Sequence, residues 1–360
     1  MMYLENPIKL QFELSSMCNA LCLGCVRTDA SNFNNKKPII PEKEYIEFDI
    51  FKKILNAEEF ESVTQLEFCG TIDDPLMHPE FIEFLDYAST VGNRYNIIIH
   101  TNASLRNTAY WKDLASVLKQ HHDHNVLFSI DGLEDTNHIY RQKTQWYRIM
   151  ENAKAFIEAG GKASWQYLIF PWNAHQLDEA KQLSIDMGFK TFSSRHDRSV
   201  ATSLGLEKIN FIKKENTQRR SNTSIEYINN ELKPVVENEI SCNNKNKRMY
   251  FIGFDSKIWP CCFLHNGFFN ADSGKRSILE KRLYEAYGTT DWNNLTKHSV
   301  KEILEHKFFT NDLVSSWSSI EHGYGTTDRI HRCTEVCNVK KLKELPIGTA
   351  KVLYTKEENV

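Results

Sequence analysis

The sequence predicts an α/β protein: six parallel strands with helices between them form a barrel or partial barrel, and a smaller module follows at the carboxyl end. Three observations carry this. Short, β-branched apolar runs alternate with longer amphipathic runs from Ile8 to about Ser194, the pattern of repeated βα units on a parallel sheet. Several of the amphipathic runs close on glycine, the usual helix C-cap. After about residue 200 the alternation stops.

The first strand is "IKLQFEL" from Ile8, and "SSMCNALCLGCVRTD" follows it directly. The second, "SVTQLEFC" from Ser62, leads through "FCGTIDDPLMHPEF" into the helical run "PEFIEFLDYASTVG". The third, "YNIIIHT" from Tyr95, precedes "AYWKDLASVLKQH". The histidine-rich "HHDH" at His121 to His124 reads as a helix-ending polar loop, because consecutive residues point in different directions and cannot converge on a metal. The fourth strand, "NVLFSID" from Asn125, precedes "RIMENAKAFIEAGG". The fifth, "ASWQYLIF" from Ala163, precedes "HQLDEAKQLSIDMG", and the sixth is "FKTFSS" from Phe189. Barrels of this kind place their chemistry at the carboxyl ends of the strands, in the βα loops. The thiol-rich segment after the first strand stands in such a loop.

Beyond the barrel, "KKENTQRRSNTSIEYINNELKP" is polar, and "RMYFIGFDSKIWPCCF" reads as a hairpin turning at Asp255 and Ser256. The expected organisation is a barrel over 1–200, a variable linker over 201–240, a second module over 241–345 and a tail over 346–360. The basic runs Lys213 to Arg220 and Lys245 to Arg248 lack the interleaved aromatics that stack on bases, so they read as solvated linker.

With 44 basic and 47 acidic residues the net charge is -3, which supplies no overall field for a nucleic acid or a membrane surface. No run approaches the roughly 20 apolar residues that cross a bilayer, and the N-terminus has no basic region ahead of an apolar segment. A cytoplasmic location is expected. In that reducing compartment an odd set of nine cysteines points to metal or catalysis rather than to a disulfide framework.

Cys18, Cys22 and Cys25 lie within eight residues of one another with no fourth thiol beside them. Three thiolates can hold three irons of a four-iron cluster and leave the fourth iron open, the arrangement of a metal site with one vacant position. Here the chain resembles the radical S-adenosylmethionine (radical SAM) superfamily, whose mark is CxxxCxxC after the first strand of a partial (β/α)6 TIM-type barrel. The resemblance continues in order along the chain. Gly70, Asp74 and Pro75 match the glycine-rich acidic motif after the second strand, which holds the cofactor's amino group. "HTNASL" after the third strand supplies Asn102, and "FSIDGLEDTNHIYR" after the fourth supplies Ser129, Asp131 and Arg141. The resemblance implies that Asn102 and Ser129 meet the ribose or methionine moiety and that Arg141 pairs with the cofactor carboxylate. Two departures stand out: Gly24 replaces the usual aromatic before the last cysteine, and "GTIDDP" replaces the shorter Gly-Gly-Glu-Pro.

Cys242, the pair Cys261 and Cys262, and a late Cys333-x-x-x-Cys337 resemble the SPASM and twitch extensions of that superfamily, a small module with a β-hairpin and helix. The resemblance implies a second, fully ligated four-iron cluster on Cys242, Cys261, Cys333 and Cys337. Neighbours on a strand point to opposite faces, so Cys262 is the spare, a buried small hydrophobe, and Cys69 is read the same way. A structural zinc site on the same four thiols is the alternative.

The function implied is reductive cleavage of S-adenosylmethionine to a 5'-deoxyadenosyl radical. That radical abstracts hydrogen from a peptide side chain or a small hydroxylated metabolite, with the auxiliary cluster for electron transfer and an external donor such as flavodoxin or ferredoxin. An RNA-modifying enzyme on the same core would want a basic face, and a non-catalytic zinc-binding module would be colourless. Because the first strand starts at Ile8, no peptide-recognition domain is expected ahead of the barrel, and a ribosomal peptide would need its leader held by a separate protein.

Overall fold

The computed structural model describes residues 3–23, 25, 27, 43–69, 71–91, 94–196, 237–269, 287–288, 291–317, 333 and 337–341. Gly24, Gly70, the basic run from 213 to 220 and the tail 346–360 lie outside the described residues.

Six strands stand side by side in chain order, all parallel: β1 (Lys9–Phe12), β2 (Gln65–Phe68), β3 (Asn96–Thr101), β4 (Asp123–Ser129), β5 (Ala163–Ile169) and β6 (Thr191–His196). Among the described residues the sheet is open, with β6 on one edge, as a partial barrel requires. Between the strands run α1 (Phe48–Leu55), α2 (Phe81–Thr90), α3 (Thr108–Leu118), α4 (Trp146–Glu158) and α5 (Leu177–Asp186). The predicted glycine stops are present: Gly160 and Gly188 take a φ of +85°, a conformation that costs glycine least.

Alternation along the strands explains the layering. Phe12, Leu66, Phe68, Ile97, Ile99, Val126 and Phe128 are fully buried, and Phe12 packs on Phe51, Phe68 on Phe81 and Phe128 on Trp111 and Phe156 of the helices. The residues between them, Glu67, Ile98, His100, Asn125, Leu127 and Ser129, are only half-buried. Central parallel strands usually bury both faces. Here the inner face, turned away from the helices, stays partly open and largely polar.

The histidine run differs from its prediction. β4 begins at Asp123, so His124 is a strand residue, buried, with its Nε2 accepting from the Lys162 backbone N–H at 3.0 Å. Burial holds its pKa down to about 4. His121 is buried as well, its Nε2 3.1 Å from the Leu85 carbonyl.

In the C-terminal part β7 (Glu237–Ile240) pairs antiparallel with β10 (Asn338–Lys341). The expected hairpin is β8 (Met249–Ile252) and β9 (Ile258–Trp259), with Ser256 at a φ of +61° in its turn. β8 lies parallel to β1, with Tyr250 opposite Leu10, so the hairpin extends the barrel sheet instead of standing apart from it. Cys262 opens a helix, Cys262–Phe269. β9 has ended at Trp259 and Pro260 intervenes, so the strand argument used for this pair of cysteines does not apply.

Candidate functional site

All nine cysteines are free thiols. The loop after β1 gathers Cys18, Cys22 and Cys25 against Ala20, Leu23, Tyr140 and Phe170 in a small apolar cluster of its own. The backbone fixes this loop to the turn after β4, through Leu21 N–H to Gln142 O at 3.0 Å and Leu23 N–H to Tyr140 O at 3.3 Å. Buried Arg27 donates to the Ser16 and Ile72 carbonyls and ties the loop to the acidic segment after β2.

Donors point at sulfur. Ala20 N–H lies 3.4 Å from Cys18 Sγ, Asn102 Nδ2 lies 3.7 Å from the same atom, and Arg141 Nη1 lies 3.7 Å from Cys22 Sγ. Burial nevertheless pushes the thiols up, Cys22 to about 11 and Cys18 and Cys25 also above their ordinary value. The loop by itself therefore favours neutral thiols, and a metal that claims them must displace protons.

Asp74 is fully committed within the protein. Its carboxylate accepts from Leu76 N–H at 3.2 Å, Thr101 Oγ1 at 2.9 Å, Asn102 N–H at 2.8 Å and Asn102 Nδ2 at 2.7 Å. Asn102 Nδ2 also reaches Asn19 Oδ1 at 2.7 Å. Asp74 and Asn102 are thus one network under Cys18. Neighbouring Asp73 takes the N–H groups of Leu14 and Ser15 with Oδ2, each at 3.0 Å.

Asp131 and Arg141 form a second network. Asp131 is fully buried and accepts from Leu168 N–H at 2.6 Å and from Arg141 Nε at 2.6 Å. The Arg141 guanidinium therefore joins the carboxyl end of β4 to the cysteine loop. Ser129 sits at that strand end, half-buried on the inner face.

In the C-terminal part, Cys242, Cys261, Cys333 and Cys337 line one pocket with Leu264 and Trp317. Cys262 is not among its lining residues: it faces Thr71 instead. A hydrogen bond from Cys337 draws the Cys242 thiol down to about 6, and the Tyr3 hydroxyl lies 3.4 Å from the same sulfur.

Sequence reasoning passed over Glu13 and His265. Both are fully buried, 3.3 Å apart, and His265 Nε2 also stands 3.1 Å from Asp255 Oδ1. Glu13 Oε1 accepts from Ile72 N–H at 2.6 Å. An acidic residue inside the apolar run "IKLQFEL" was the available signal.

Both thiol sets fit iron-sulfur chemistry by donor type: three sulfurs with nearby N–H donors in an apolar nest, and four sulfurs around one pocket. Among curated proteins none matches this chain. A family model described as "Radical SAM superfamily" matches residues 12–184. The described fold is similar to the "Crystal structure of Streptococcus suis SuiB", at 15% identity and TM-score 0.51 over 86% of this chain and 68% of that one. It is also similar to "Native anSMEcpe with bound AdoMet and Kp18Cys peptide", at 15% identity and TM-score 0.50 over 85% and 81% of the two chains. Against SuiB bound to its precursor peptide SuiA the TM-score is 0.48 at 17% identity, over 71% of this chain, which spans 59% of that chain's length. No helix among the described residues is long and apolar enough to cross a membrane. Over residues 12–184, from β1 through α5, the chain carries a radical SAM domain.

Proposed function

We propose that this chain is a radical SAM enzyme that binds a four-iron cluster on Cys18, Cys22 and Cys25 and S-adenosylmethionine at its open iron, with a second cluster on Cys242, Cys261, Cys333 and Cys337. The observation that carries the reading is the gathering of the three loop thiols in one apolar nest whose N–H donors point at sulfur. When loaded, this centre supplies the electron that cleaves S-adenosylmethionine to methionine and a 5'-deoxyadenosyl radical, which takes a hydrogen atom from the substrate.

The chain's own residues prepare that chemistry. Arg141 places a positive charge by Cys22 and offsets the charge its thiolate gains on metal binding. Tyr140, Phe170 and Leu23 keep water from the loop. Asp74 and Asn102 hold the turn after β3 against Cys18, which fits Asp74 to the cofactor's amino group and Arg141 to its carboxylate, with Asn102, Ser129 and Asp131 beside the methionine or the ribose.

The polar inner face, with Glu67, His100, Asn125 and Ser129, suits a polar substrate, a peptide side chain or a hydroxylated metabolite. The peptide named with one structural neighbour makes a peptide the first to try. Four thiolates would cap all four irons of the second cluster and leave none open, so its role would be electron transfer, with flavodoxin or ferredoxin as external donor.

The test is anaerobic reconstitution followed by an assay for 5'-deoxyadenosine with a chemical reductant. The expected product is brown, carries about eight irons per chain as two four-iron clusters, and forms 5'-deoxyadenosine, whereas Cys22→Ala does not. About four irons per chain removes the second cluster, and zinc without iron overturns the reading.

A further inference from the structure

Outside both thiol sets, Glu67, Cys69 and His100 each bring one ligating atom to within 4.8 Å of the other two, the one such group of three among the described residues. The sheet explains why they meet. Phe68 pairs with Ile99 across the β2–β3 ladder, so the next residues, Cys69 and His100, fall opposite each other, and Glu67 lies two positions before Cys69 on the same face. That face is the inner one, because Leu66, Phe68, Ile97 and Ile99 point to the helices and are fully buried.

Glu67 Oε1 stands 3.4 Å from His100 Nε2, with 21% of the glutamate and 25% of the histidine side chain exposed. The three residues are thus sheltered yet reachable by a small ion. Burial and the Glu67 carboxylate both push the Cys69 thiol up, a field that a bound cation would reverse. One thiolate, one imidazole and one carboxylate make a three-ligand set of the kind that zinc keeps with water in a fourth position. The sulfur and imidazole donors select a borderline cation over magnesium or calcium.

We propose that Glu67, Cys69 and His100 bind one Zn²⁺ ion on the inner face of the sheet. The fourth position is left to water or to a donor group of the substrate. On binding, the Cys69 S–H bond gives its proton to solvent and an S–Zn bond replaces it, with no electron transferred. The site neighbours the first thiol cluster along the chain: Thr71, two residues beyond Cys69, takes the Cys25 thiol on its carbonyl at 3.9 Å. A substrate group held by the zinc would therefore lie beside the proposed radical centre.

The experiment uses the full-length protein reconstituted anaerobically with iron and sulfide, then exposed to zinc chloride and desalted. Iron and zinc are counted separately, and the zinc is examined by X-ray absorption. One zinc per chain is expected beyond the iron, with one sulfur and three nitrogen or oxygen neighbours. Cys69→Ser and His100→Ala should each weaken zinc binding by about 100-fold or more, with iron content unchanged. Zinc surrounded by four sulfurs, zinc retained by both variants, or iron-replete protein that takes up no zinc would each overturn the proposal. Should a variant also lose iron, the sulfur count around zinc in the unaltered protein decides the matter. The separate counts keep this outcome distinct from that of the cluster reading.

Discussion

Arg141 donates from Nε to Oδ2 of Asp131 at 2.6 Å, and the Asp131 side chain has no exposed surface. The other end of the same guanidinium lies 3.7 Å from Cys22 Sγ. One cation thus neutralises a buried carboxylate and steadies the cysteine loop.

Removing that cation should be costly. Arg141→Ala leaves Asp131 buried without its partner, a loss of about 3–5 kcal/mol, and should lower the iron retained in the loop. Arg141→Lys keeps the charge but not the fork of donors, and should fall between. Urea unfolding of the iron-free chain measures the first effect and iron per chain the second. An alanine variant as stable as the parent would show that the pair does not hold the fold.

Asp74 yields a different expectation from the one its motif suggests. With Leu76, Thr101 and Asn102 all donating to it, Asp74→Ala strands several buried donors and should cost about 3 kcal/mol even without S-adenosylmethionine. Its effect on cofactor binding then follows from a loosened turn as well as from any lost contact. Thermal unfolding with and without the cofactor separates the two. Unchanged stability together with weakened binding would place the role of Asp74 at the ligand alone.

What was legible in the sequence was local. Cys18, Cys22 and Cys25 announce themselves by spacing, and the six strands by apolar runs between glycine-capped helices, because each signal sits within a dozen residues. The relations that organise the site are distant. Tyr3 meets Cys242 across 239 positions, and β8 joins β1 with Tyr250 opposite Leu10. No periodicity encodes such partners. "GTIDDP" shows two adjacent aspartates, and only the fold distinguishes Asp73, turned to the backbone of Leu14 and Ser15, from Asp74, turned to Thr101 and Asn102. Cys262 was set aside from the four-thiol set by a strand argument, whereas it opens a helix and faces Thr71.

The His265 cluster predicts a dependence on alkaline pH. Burial alone would lower this imidazole, but Asp255 and Glu13 outweigh it and hold the pKa at about 9, above the ordinary 6.5. The protonated form is thus favoured by folding, so its contribution is complete below about pH 6.5 and is lost as pH rises through 9. It amounts to about 3 kcal/mol. Urea unfolding of the parent and of His265→Gln between pH 6 and 9.5 should show the gap between them closing with rising pH. Parallel curves would mean that folding does not raise the pKa of this imidazole.

The last prediction separates the two thiol sets. Cys333 is buried and lines the same pocket as Cys242, Cys261 and Cys337, while the nest of Cys18, Cys22 and Cys25 is fixed by the turn after β4 and by Arg141, none of which belongs to that pocket. A ligand lost from the second set should therefore leave the first intact. Cys333→Ala is expected to fall from about eight irons per chain to about four, to keep forming 5'-deoxyadenosine, and to release it without finished product, because the substrate radical has lost its electron partner. Iron analysis, the electron paramagnetic resonance signal of the reduced protein and product analysis read these three outcomes in one preparation. Loss of 5'-deoxyadenosine formation, in a variant whose first cluster is intact by its resonance signal, would show that the two centres do not divide the work in this way.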